Sequence, residues 1–582
     1  PHILRDVNGT FQLTPNPYSW STLGNILFID QPVGTGYSTS LPGGLARGTD
    51  QIAEQVYSAI CAFFNMHPQY SPTSSSPLFI AGDSYGGKYI PRIAARVSDG
   101  GDYTTGDNTQ ATCVDLKLNG IAIGNGYVDP YWQLTASPEQ AYTNGFIGTY
   151  QLKQGEVLAR KCQQALVLGD TQVVEGVQHP CEQIDSFIHT AGGNFSNYDL
   201  RKWGESLDLD LISSYMNSPE VREALHVETQ QENFTACSEE VRIALSNDTY
   251  ISQMDTVSDL LGTVQLRILF YSGQFDMEIS TLSTTRWLRA MNWGGKAAFA
   301  AAPRLQWYPY NDGQVGGYIE SSLGLYFLTI VQAGHLVVLD QPELAYKMME
   351  QFIKNEPFAS DPQGTFTNQL CSYFDSCGEK GTCVQGRCVC NTGYTGYSCS
   401  YPINEVSLLV NETFTNSSTL EPYTWDYFSF HIDEKTDFSV QLNAIPSFSI
   451  YLQKETPPSL DDFDMLVTLA DTHSQTIRTS ATKGDWYLGV YNSATIEDSF
   501  SIIISRNDTL TNNIHYYDYS SEETSEPTQD IAEEKSFLVW VVTGLSILLL
   551  ACLILIAILI FIVVKQSSSS SDSFQLSWQN DL

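Results

Sequence analysis

Residues 77–91 read Pro-Leu-Phe-Ile-Ala-Gly-Asp-Ser-Tyr-Gly-Gly-Lys-Tyr-Ile-Pro. An apolar run, residues 78–81, ends in Gly-Asp-Ser-Tyr-Gly, and a helix-compatible stretch follows over residues 88–97. A strand, a sharp turn with small residues on both sides of a serine, and a helix form the context of a nucleophile elbow. Such a turn exposes the serine hydroxyl and points the next backbone N–H at a developing oxyanion. The pattern therefore predicts Ser84 as a nucleophile and the Tyr85 N–H as an oxyanion donor.

A serine nucleophile needs a base and an acid that orients the base. Asp276 follows the apolar run of residues 266–271 through Ser-Gly-Gln-Phe, and His335 follows the run of residues 325–331 through Gln-Ala-Gly. Each side chain comes just after a predicted buried strand, where the loops of a catalytic triad should meet. Asp340 is the alternative acid, but it is too near the histidine in sequence to reach the far side of the imidazole easily. The order serine, aspartate, histidine is that of an α/β-hydrolase.

Residues 1–360 alternate strand-like apolar runs with helix-like segments, which predicts an α/β domain with a mostly parallel sheet covered on both faces. Residues 25–30 and 116–123 are further strand-like runs, and apolar residues recur at helical spacing over residues 50–64. Residues 130–255 are helical and irregular. We interpret them as an insertion over the carboxyl edge of the sheet, where such folds bind ligands.

The chain of 582 residues carries a net charge of −36 and is long enough for three or four domains. This charge argues against nucleic acid as a partner, because phosphate binding needs clustered Lys and Arg. The self-repulsion of an acidic surface falls at low pH, which is compatible with an acidic compartment. No residue pattern predicts a cofactor or a metal site.

An uncharged run at residues 537–564 is long enough to span a bilayer. Eleven of the twelve cysteines and all seven Asn-x-Ser/Thr sequons precede it. This predicts a single-pass type I membrane protein in an oxidising environment, either the lumen of a lysosome-like or vacuole-like compartment or the cell surface, with residues 565–582 as a cytoplasmic tail. The chain starts at Pro1 without a signal peptide, so we expect a missing N-terminal segment. The predicted glycosylation sites are Asn8, Asn194, Asn233, Asn247, Asn411, Asn416 and Asn507.

Five further cysteines are scattered through the first 360 residues. Cys162 and Cys181 are close in sequence and are predicted to pair, whereas Cys61 lies on the apolar face of a predicted helix and is predicted to be a buried thiol. The partners of Cys113 and Cys237 are left open: the two cysteines pair with each other, or one of them pairs with a cysteine upstream of residue 1.

Seven short blocks occur in order within the first 355 residues. They are Asn-Pro-Tyr-Ser-Trp at 16–20, Asp-Gln-Pro-Val-Gly-Thr-Gly-Tyr-Ser at 30–38, the serine elbow at 82–86, Gly-Asn-Gly with Asp-Pro at 124–130, Tyr-Ser-Gly to Asp at 271–276, Gly-Gln-Val-Gly-Gly-Tyr at 313–318, and Gly-His with Asp-Gln-Pro at 334–342. Together these blocks resemble the serine carboxypeptidase family. The resemblance implies an α/β-hydrolase that removes C-terminal residues from peptides or proteins through an acyl-enzyme, best at acid pH. It assigns Ser84 as nucleophile, His335 as base and Asp276 as orienting acid.

Two departures from the family bear on activity. Family members carry an Asn-Gly-Gly-Pro-Gly-Cys-Ser-Ser block upstream of position 1, which supplies a second oxyanion N–H, so we expect this chain by itself to be less than fully active. They also usually carry Glu before the nucleophile, where this chain has Asp83. The resemblance implies that this acid, when protonated, hydrogen-bonds the substrate carboxylate, and a proton shared by two carboxyls explains an acid optimum.

Two alternatives to peptide hydrolysis stay open. Plant acyltransferases that resemble the family also carry Asp before the nucleophile, so transfer to an acceptor other than water is one alternative. The other is a non-catalytic, membrane-anchored adhesion or binding protein that uses the hydrolase domain as a scaffold. The intact set of serine, aspartate and histidine argues against this second alternative.

Residues 368–400 contain six cysteines. Their Cys-x-Cys pair, followed after eight residues by Cys with Gly393, Tyr394 and Gly396 between, resembles an EGF-like module. Zinc binding is the alternative, but the lumenal prediction and the absence of paired Cys-x-x-Cys knuckles argue against it. The resemblance implies the pairs Cys371–Cys383, Cys377–Cys388 and Cys390–Cys399.

Residues 402–507 alternate with a period of two in several short runs and predict an antiparallel β-sandwich with no catalytic signature. Residues 508–536 are polar and acidic and predict a stalk. The EGF-like module and the sandwich are candidate binding sites for a protein or glycan partner. The predicted strands of the sandwich are residues 429–432, 438–442, 448–452, 486–491 and 500–504.

Overall fold

A computed structural model describes most of the chain up to residue 507. The described ranges are 2–5, 11–40, 43–72, 76–104, 110–169, 178–204, 208–229, 233–310, 313–358, 367–384, 386–407, 412–445, 447–460, 463–468 and 474–507. The predicted stalk, membrane span and tail therefore lie outside the described residues, as do Asn8 and Asn411. Among the described residues, no helix combines the length and the apolar composition that crossing a membrane requires.

The first part of the chain is built around a six-stranded sheet with the order β3-β6-β7-β10-β9-β8. Strands β3, β6, β7 and β10 are parallel to one another, β9 pairs antiparallel with β10, and β8 pairs antiparallel with β9. β1 pairs with β2 and β4 with β5 in separate antiparallel hairpins. The strands are β1 His2–Arg5, β2 Phe11–Thr14, β3 Leu78–Asp83, β4 Asp102–Thr104, β5 Gln110–Thr112, β6 Leu118–Gly124, β7 Arg267–Gly273, β8 Leu305–Trp307, β9 Gly317–Ser322 and β10 Leu325–Ile330.

Helices cover both faces of this sheet, as the alternation predicted. Ile268 and Phe270 of β7 pack on one side with α2, α10 and α11, while Leu269 and Tyr271 pack on the other side with α14. Alternate residues of one strand thus enter two separate cores. The helices are α1 Thr49–Met66, α2 Gly86–Asp99, α3 Pro130–Gln133, α4 Ser137–Thr143, α5 Thr149–Val167, α6 Glu182–Gly192, α7 Leu209–Met216, α8 Pro219–Ala224, α9 Glu239–Ala244, α10 Met254–Gly262, α11 Thr281–Ala290, α12 Lys296–Ala300, α13 Val337–Asp340 and α14 Pro342–Lys354.

The predicted insertion is helical in its described residues. Helices α3 to α9 and the start of α10 fall within residues 130–255, and α4, α5 and α6 share a small core of their own. The strand-like run at residues 25–30 is not a strand, which corrects the sequence reading. It pairs with no strand in the described part of the chain, and Phe28 is 87% exposed. Apolar composition alone therefore did not specify a strand.

The disulfides of the first part correct one prediction. Cys162 pairs with Cys181, as expected from their spacing. Cys61 is buried but is not a thiol: it forms a disulfide with Cys113, with the two Cα atoms 5.1 Å apart. Helix α1 packs on the segment after β5, and the same apolar surroundings suit a thiol or a disulfide, so position on the helix could not distinguish them. Cys237 is exposed and forms no disulfide in the described part of the chain.

A disulfide-rich region follows the first part. It consists of the short helix α15 Thr367–Leu370, a 3₁₀ segment Cys371–Lys380, and the hairpin of β11 Gly381–Val384 with β12 Arg387–Cys390. All six cysteines are oxidised, so none offers a thiolate to a metal. The disulfides are Cys371–Cys383, Cys377–Cys388 and Cys390–Cys399, the pairs that the resemblance implied.

The remaining described residues are β-rich. Two sheets, β13-β14-β16-β21-β18-β19 and β15-β22-β17-β20, contribute to one hydrophobic cluster, and all their pairs are antiparallel except β14 with β16. The five predicted runs each lie within one of these strands, whereas β15 and β20 are rich in Ser and Thr and gave no apolar signal. The strands are β13 Tyr394–Thr395, β14 Tyr401–Glu405, β15 Thr413–Leu420, β16 Trp425–Ile432, β17 Thr436–Asn443, β18 Phe448–Lys454, β19 Met465–Thr468, β20 Ser474–Ala481, β21 Gly484–Asn492 and β22 Asp498–Asn507.

The sequons that fall on described residues stay predictions. Asn194, Asn233 and Asn247 are exposed on the first part, where a glycan has access. Asn416 is half-buried on β15, and Asn507 is the last residue of β22.

Candidate active site

Each of the four parallel strands is followed, within five residues, by a polar residue that belongs to the same site. Ser84 follows β3, Asn125 follows β6, Asp276 lies three residues beyond β7, and His335 lies five residues beyond β10. Because carboxyl ends of parallel strands meet at one edge of a sheet, strand order brings these loops side by side. Asn125 was not predicted as a site residue, although its position after a strand next to β3 was a usable signal.

The backbone at Ser84 has the strained geometry of an elbow. Its φ is +57°, which is rare for a residue other than glycine. Hydrogen bonds hold it there: Ser84 N donates to Gly124 O at 2.8 Å, and Ser84 O accepts from Gly87 N and Tyr127 N, both at 2.9 Å. A Cβ at Gly87 would lie 2.6 Å from Tyr127 N, so only glycine permits this approach. The Tyr85 N–H donates to no protein acceptor among the described residues, which leaves it available to an oxyanion.

Asp276 and His335 form a buried pair. His335 Nδ1 lies 2.9 Å from Asp276 Oδ2, and the two residues are 2% and 0% exposed. Both oxygens of Asp276 accept further hydrogen bonds, from Asn125 Nδ2 to Oδ2 at 2.5 Å and from Glu278 N to Oδ1 at 2.9 Å. A carboxylate fixed in this way can fix the tautomer and the orientation of the imidazole.

The second nitrogen of His335, Nε2, is buried and has no hydrogen-bond partner among the described residues. The ring stacks on Tyr198 with centroids 4.7 Å apart. Burial lowers the pKa of His335, but the charge and hydrogen bond of Asp276, together with the charges of Glu278 and Asp83, outweigh it, and the net pKa is raised above its usual value. Nε2 makes no hydrogen bond to the Ser84 hydroxyl. In serine hydrolases, such bonds often tighten only when substrate binds.

Asp340, the alternative acid, does not contact the imidazole ring through a hydrogen bond. Its Oδ2 accepts from Gly334 N at 2.7 Å, and it lies 3.8 Å from Arg201 and 3.6 Å from Lys202. It therefore belongs to a separate charge network that borders the His335 loop.

Asp83 directly precedes the nucleophile and has an unusual environment. Tyr271 donates from its hydroxyl to Asp83 Oδ1 at 2.6 Å. Desolvation by the surrounding protein atoms raises the pKa of Asp83, while the Tyr271 hydrogen bond and the charge of His335 partly oppose that rise. The residue as a whole is nevertheless exposed, so a substrate can reach it.

Glu278 is a second carboxyl near the pair that was not predicted. Its Oε2 accepts from Asn197 Nδ2 at 3.1 Å, and its side chain is exposed. Desolvation and the nearby charge of Asp276 raise the pKa of Glu278, while the charge of His335 lowers it. The signal for Glu278 was only its distance of two residues from Asp276, which is too general to indicate function.

Comparison with known proteins agrees with this geometry. The family described as serine carboxypeptidase matches residues 4–355, and a family described as Teneurin-like EGF domain matches residues 374–402. Serine carboxypeptidase-like 49 of Arabidopsis thaliana is 30% identical over 361 residues, which cover 60% of this chain and 67% of that protein. Serine carboxypeptidase S10 family member 1 of Dictyostelium discoideum is 30% identical over 355 residues, or 60% of this chain and 81% of that protein.

Solved structures give the same fold. The prohormone-processing carboxypeptidase Kex1(delta)p of Saccharomyces cerevisiae matches with a TM-score of 0.51 at 20% identity, covering 61% of this chain and 78% of that chain. This likeness supports an α/β-hydrolase-like carboxypeptidase fold for the first part. The family match spans more than half of the sequence and includes the Ser84, Asp276 and His335 loops. The chain therefore belongs to the serine carboxypeptidase family.

Proposed function

We propose that this chain is a serine-type carboxypeptidase that removes C-terminal residues from peptides, with Ser84 as nucleophile, His335 as base and Asp276 as orienting acid. The observation that carries the proposal is the buried Asp276–His335 pair, which lies at the sheet edge where the strained Ser84 elbow ends β3. Family membership supports the reaction class.

In the proposed reaction, His335 Nε2 takes the hydroxyl proton as Ser84 Oγ attacks the carbonyl carbon of the last peptide bond. The Tyr85 N–H stabilises the oxyanion. His335 then returns the proton to the leaving amine, the C–N bond breaks, and the C-terminal amino acid departs. Water attacks the acyl-enzyme, His335 accepts its proton, and Ser84 leaves with that proton restored.

Asp83 recognises the substrate terminus in this proposal. A raised pKa favours the protonated carboxyl, which can donate a hydrogen bond to the substrate carboxylate. Binding then weakens as the pH rises and Asp83 ionises, because two carboxylates repel each other. This accounts for a preference for acid pH.

The same proposal extends to the rest of the chain. Residues 368–400 are an EGF-like module, and residues 402–507 are an accessory β-sandwich in which two sheets share a core. Residues 537–564 anchor the protein in a membrane, with the enzyme in a lumen or outside the cell. The bridges and exposed sequon asparagines support an oxidising environment.

The test compares purified wild type with Ser84→Ala and with Ser246→Ala, a half-buried turn serine that serves as the control in the same domain. Wild type and the control should release the C-terminal residue from blocked dipeptides at acid pH, and Ser84→Ala should not. Equal turnover by Ser84→Ala would contradict the mechanism. Adding an alcohol acceptor with an activated ester and analysing the products separates hydrolysis from acyl transfer.

A further inference from the structure

Residues 197–202, here called the strap, connect α6 to the next part of the helical insertion and contact the loop that carries the candidate acid. The carbonyl of Asn197 accepts from the N–H groups of residues 277–278 at 2.9 and 3.0 Å. Leu200 N donates to Phe275 O at 2.9 Å. The strap therefore holds the chain on both sides of the acid by backbone hydrogen bonds.

The strap also contacts the loop that carries the candidate base. Tyr198 O accepts from His335 N at 2.6 Å, and the Tyr198 ring stacks on the imidazole. Arg201 Nη1 donates to Gln332 O at 3.0 Å. A Cβ at Gly334 would lie 2.3 Å from Tyr198 O, so the close approach requires glycine. One short segment of the insertion thus contacts both loops of the pair.

A charge network fastens the strap. Asp199 is 1% exposed and accepts from Arg201 Nε and Nη2 at 2.8 and 2.9 Å, and its carboxylate lies 3.0 Å from Lys202 Nζ. Both cations also approach Asp340, which accepts from Gly334 N beside the base. Burial alone would raise the pKa of Asp199, but these hydrogen bonds lower it to about 2. Asp199 therefore keeps its charge at the acid pH of the proposed reaction.

Loss of the Asp199 charge should loosen this arrangement. Arg201 and Lys202 would then repel each other across a site with one remaining carboxylate, and Arg201 would lose its two-pronged contact. A displacement of about 1 Å between reacting groups can lower a rate roughly 100-fold. Asp199 itself makes no hydrogen bond to Asp276 or His335, so its effect on the pair is on their position, through the strap.

We propose that the strap sets the relative position of Asp276 and His335, and that Asp199 is the positioning residue that fastens it. This inference deepens the proposed function and rests on it. It gives the helical insertion a role in organising the catalytic pair in addition to covering the sheet edge.

The experiment uses the full chain as wild type, Asp199→Asn and Arg201→Gln, with Asp210→Asn as the matched control. Asp210 is an exposed aspartate of α7 in the same insertion. Arg201 is partly exposed, so its replacement should fold even if Asp199→Asn does not. We would measure kcat per titratable active serine, KM for a blocked dipeptide, and hydrogen–deuterium exchange of residues 273–278 and 332–336.

We expect Asp199→Asn to lower kcat at least about 10-fold with KM within about 2-fold, and Arg201→Gln to do so more weakly. Both should speed exchange in the two loops, and Asp210→Asn should match wild type. A general loss of folding would reduce the number of active sites without changing kcat per site. The proposal would be wrong if both Asp199→Asn and Arg201→Gln kept the wild-type kcat. It would also be wrong if hydrogen–deuterium exchange of the two loops were unchanged in both variants. Absence of peptide hydrolysis by wild type would contradict the proposed function, while the exchange comparison would still decide the inference.

Discussion

The hydroxyl of Tyr271 donates a hydrogen bond of 2.6 Å to Asp83 Oδ1. This bond favours the ionised carboxylate, whereas desolvation by the surrounding protein favours the neutral acid. Desolvation has the larger effect, so the net pKa of Asp83 is raised. The protonation of the candidate substrate-binding acid is thus set by a competition between its surroundings and one neighbouring hydroxyl. The pH dependence of the enzyme should respond to both.

Replacing Asp83 by asparagine should remove the loss of activity at high pH. The active form needs Asp83 protonated and His335 neutral, so wild-type kcat/KM should follow a bell-shaped curve. Asn cannot ionise but can donate a hydrogen bond to the substrate carboxylate, so only the requirement for a neutral imidazole remains. The kcat/KM of Asp83→Asn should therefore rise with pH to a plateau. A bell-shaped curve that is unchanged in this variant would exclude Asp83 as the titrating acid.

Replacing Tyr271 by phenylalanine should move the pH of maximal kcat/KM upward. The change removes a hydrogen bond to the ionised form of Asp83 and so raises its pKa further. The maximum of a two-group profile lies midway between the two pKa values and follows either of them. The double variant Tyr271→Phe with Asp83→Asn is the control, and its profile should match that of Asp83→Asn. A downward shift in the single variant would contradict the explanation.

Replacing Asn125 by alanine should lower kcat more than it raises KM. Asn125 Nδ2 donates to the same Asp276 oxygen that faces His335, and hydrogen bonds to charged groups contribute about 1.5–3 kcal/mol. Loss of this bond should reduce kcat roughly 10-fold or more. Asn144→Ala, on the exposed surface of the insertion, is the matched control. Equal kcat in Asn125→Ala and wild type would show that Asn125 does not position Asp276.

Removing the disulfide between Cys61 and Cys113 should destabilise the first part of the chain. The bond closes a loop with a sequence separation of 52 residues, for which the chain-entropy treatment gives about 4 kcal/mol. The double Ala variant should unfold at lower temperature and lower denaturant concentration. Cys237→Ala, which removes an exposed cysteine that forms no disulfide within the described residues, should leave both midpoints near those of wild type. Coinciding unfolding curves for all three proteins would contradict this expectation.

The sequence located the candidate catalytic loops because their signals are local. Ser84 sits in a turn that only small neighbours allow, and Asp276 and His335 each follow an apolar run that becomes a strand. Strand order then brings the loops together without any further information from the side chains. The assignment of roles to these residues stays a prediction until the variants are measured.

The residues that the sequence did not reveal act through distant contacts. Asn125 reaches Asp276 across 151 positions, and the strap residue Tyr198 reaches His335 across 137, so neither has a local pattern. The Cys61–Cys113 disulfide was not predicted for the same reason, because burial on a helix face does not reveal which residue packs against it. Strand β15 was missed because its exposed Ser and Thr hide the few apolar residues that enter the core.

The Cys61–Cys113 bridge has a consequence for resistance to proteases. The loop that it closes contains β3, the Ser84 elbow and α2, and also the hairpin of β4 and β5. A single cut anywhere between the two cysteines leaves the fragments covalently joined, so the nucleophile cannot diffuse away from the base. A nicked molecule should migrate as one chain until it is reduced, and it should keep the serine within reach of His335. For an enzyme proposed to work in a lumen or outside the cell, this tether would extend its working life beyond the first cleavage by a protease.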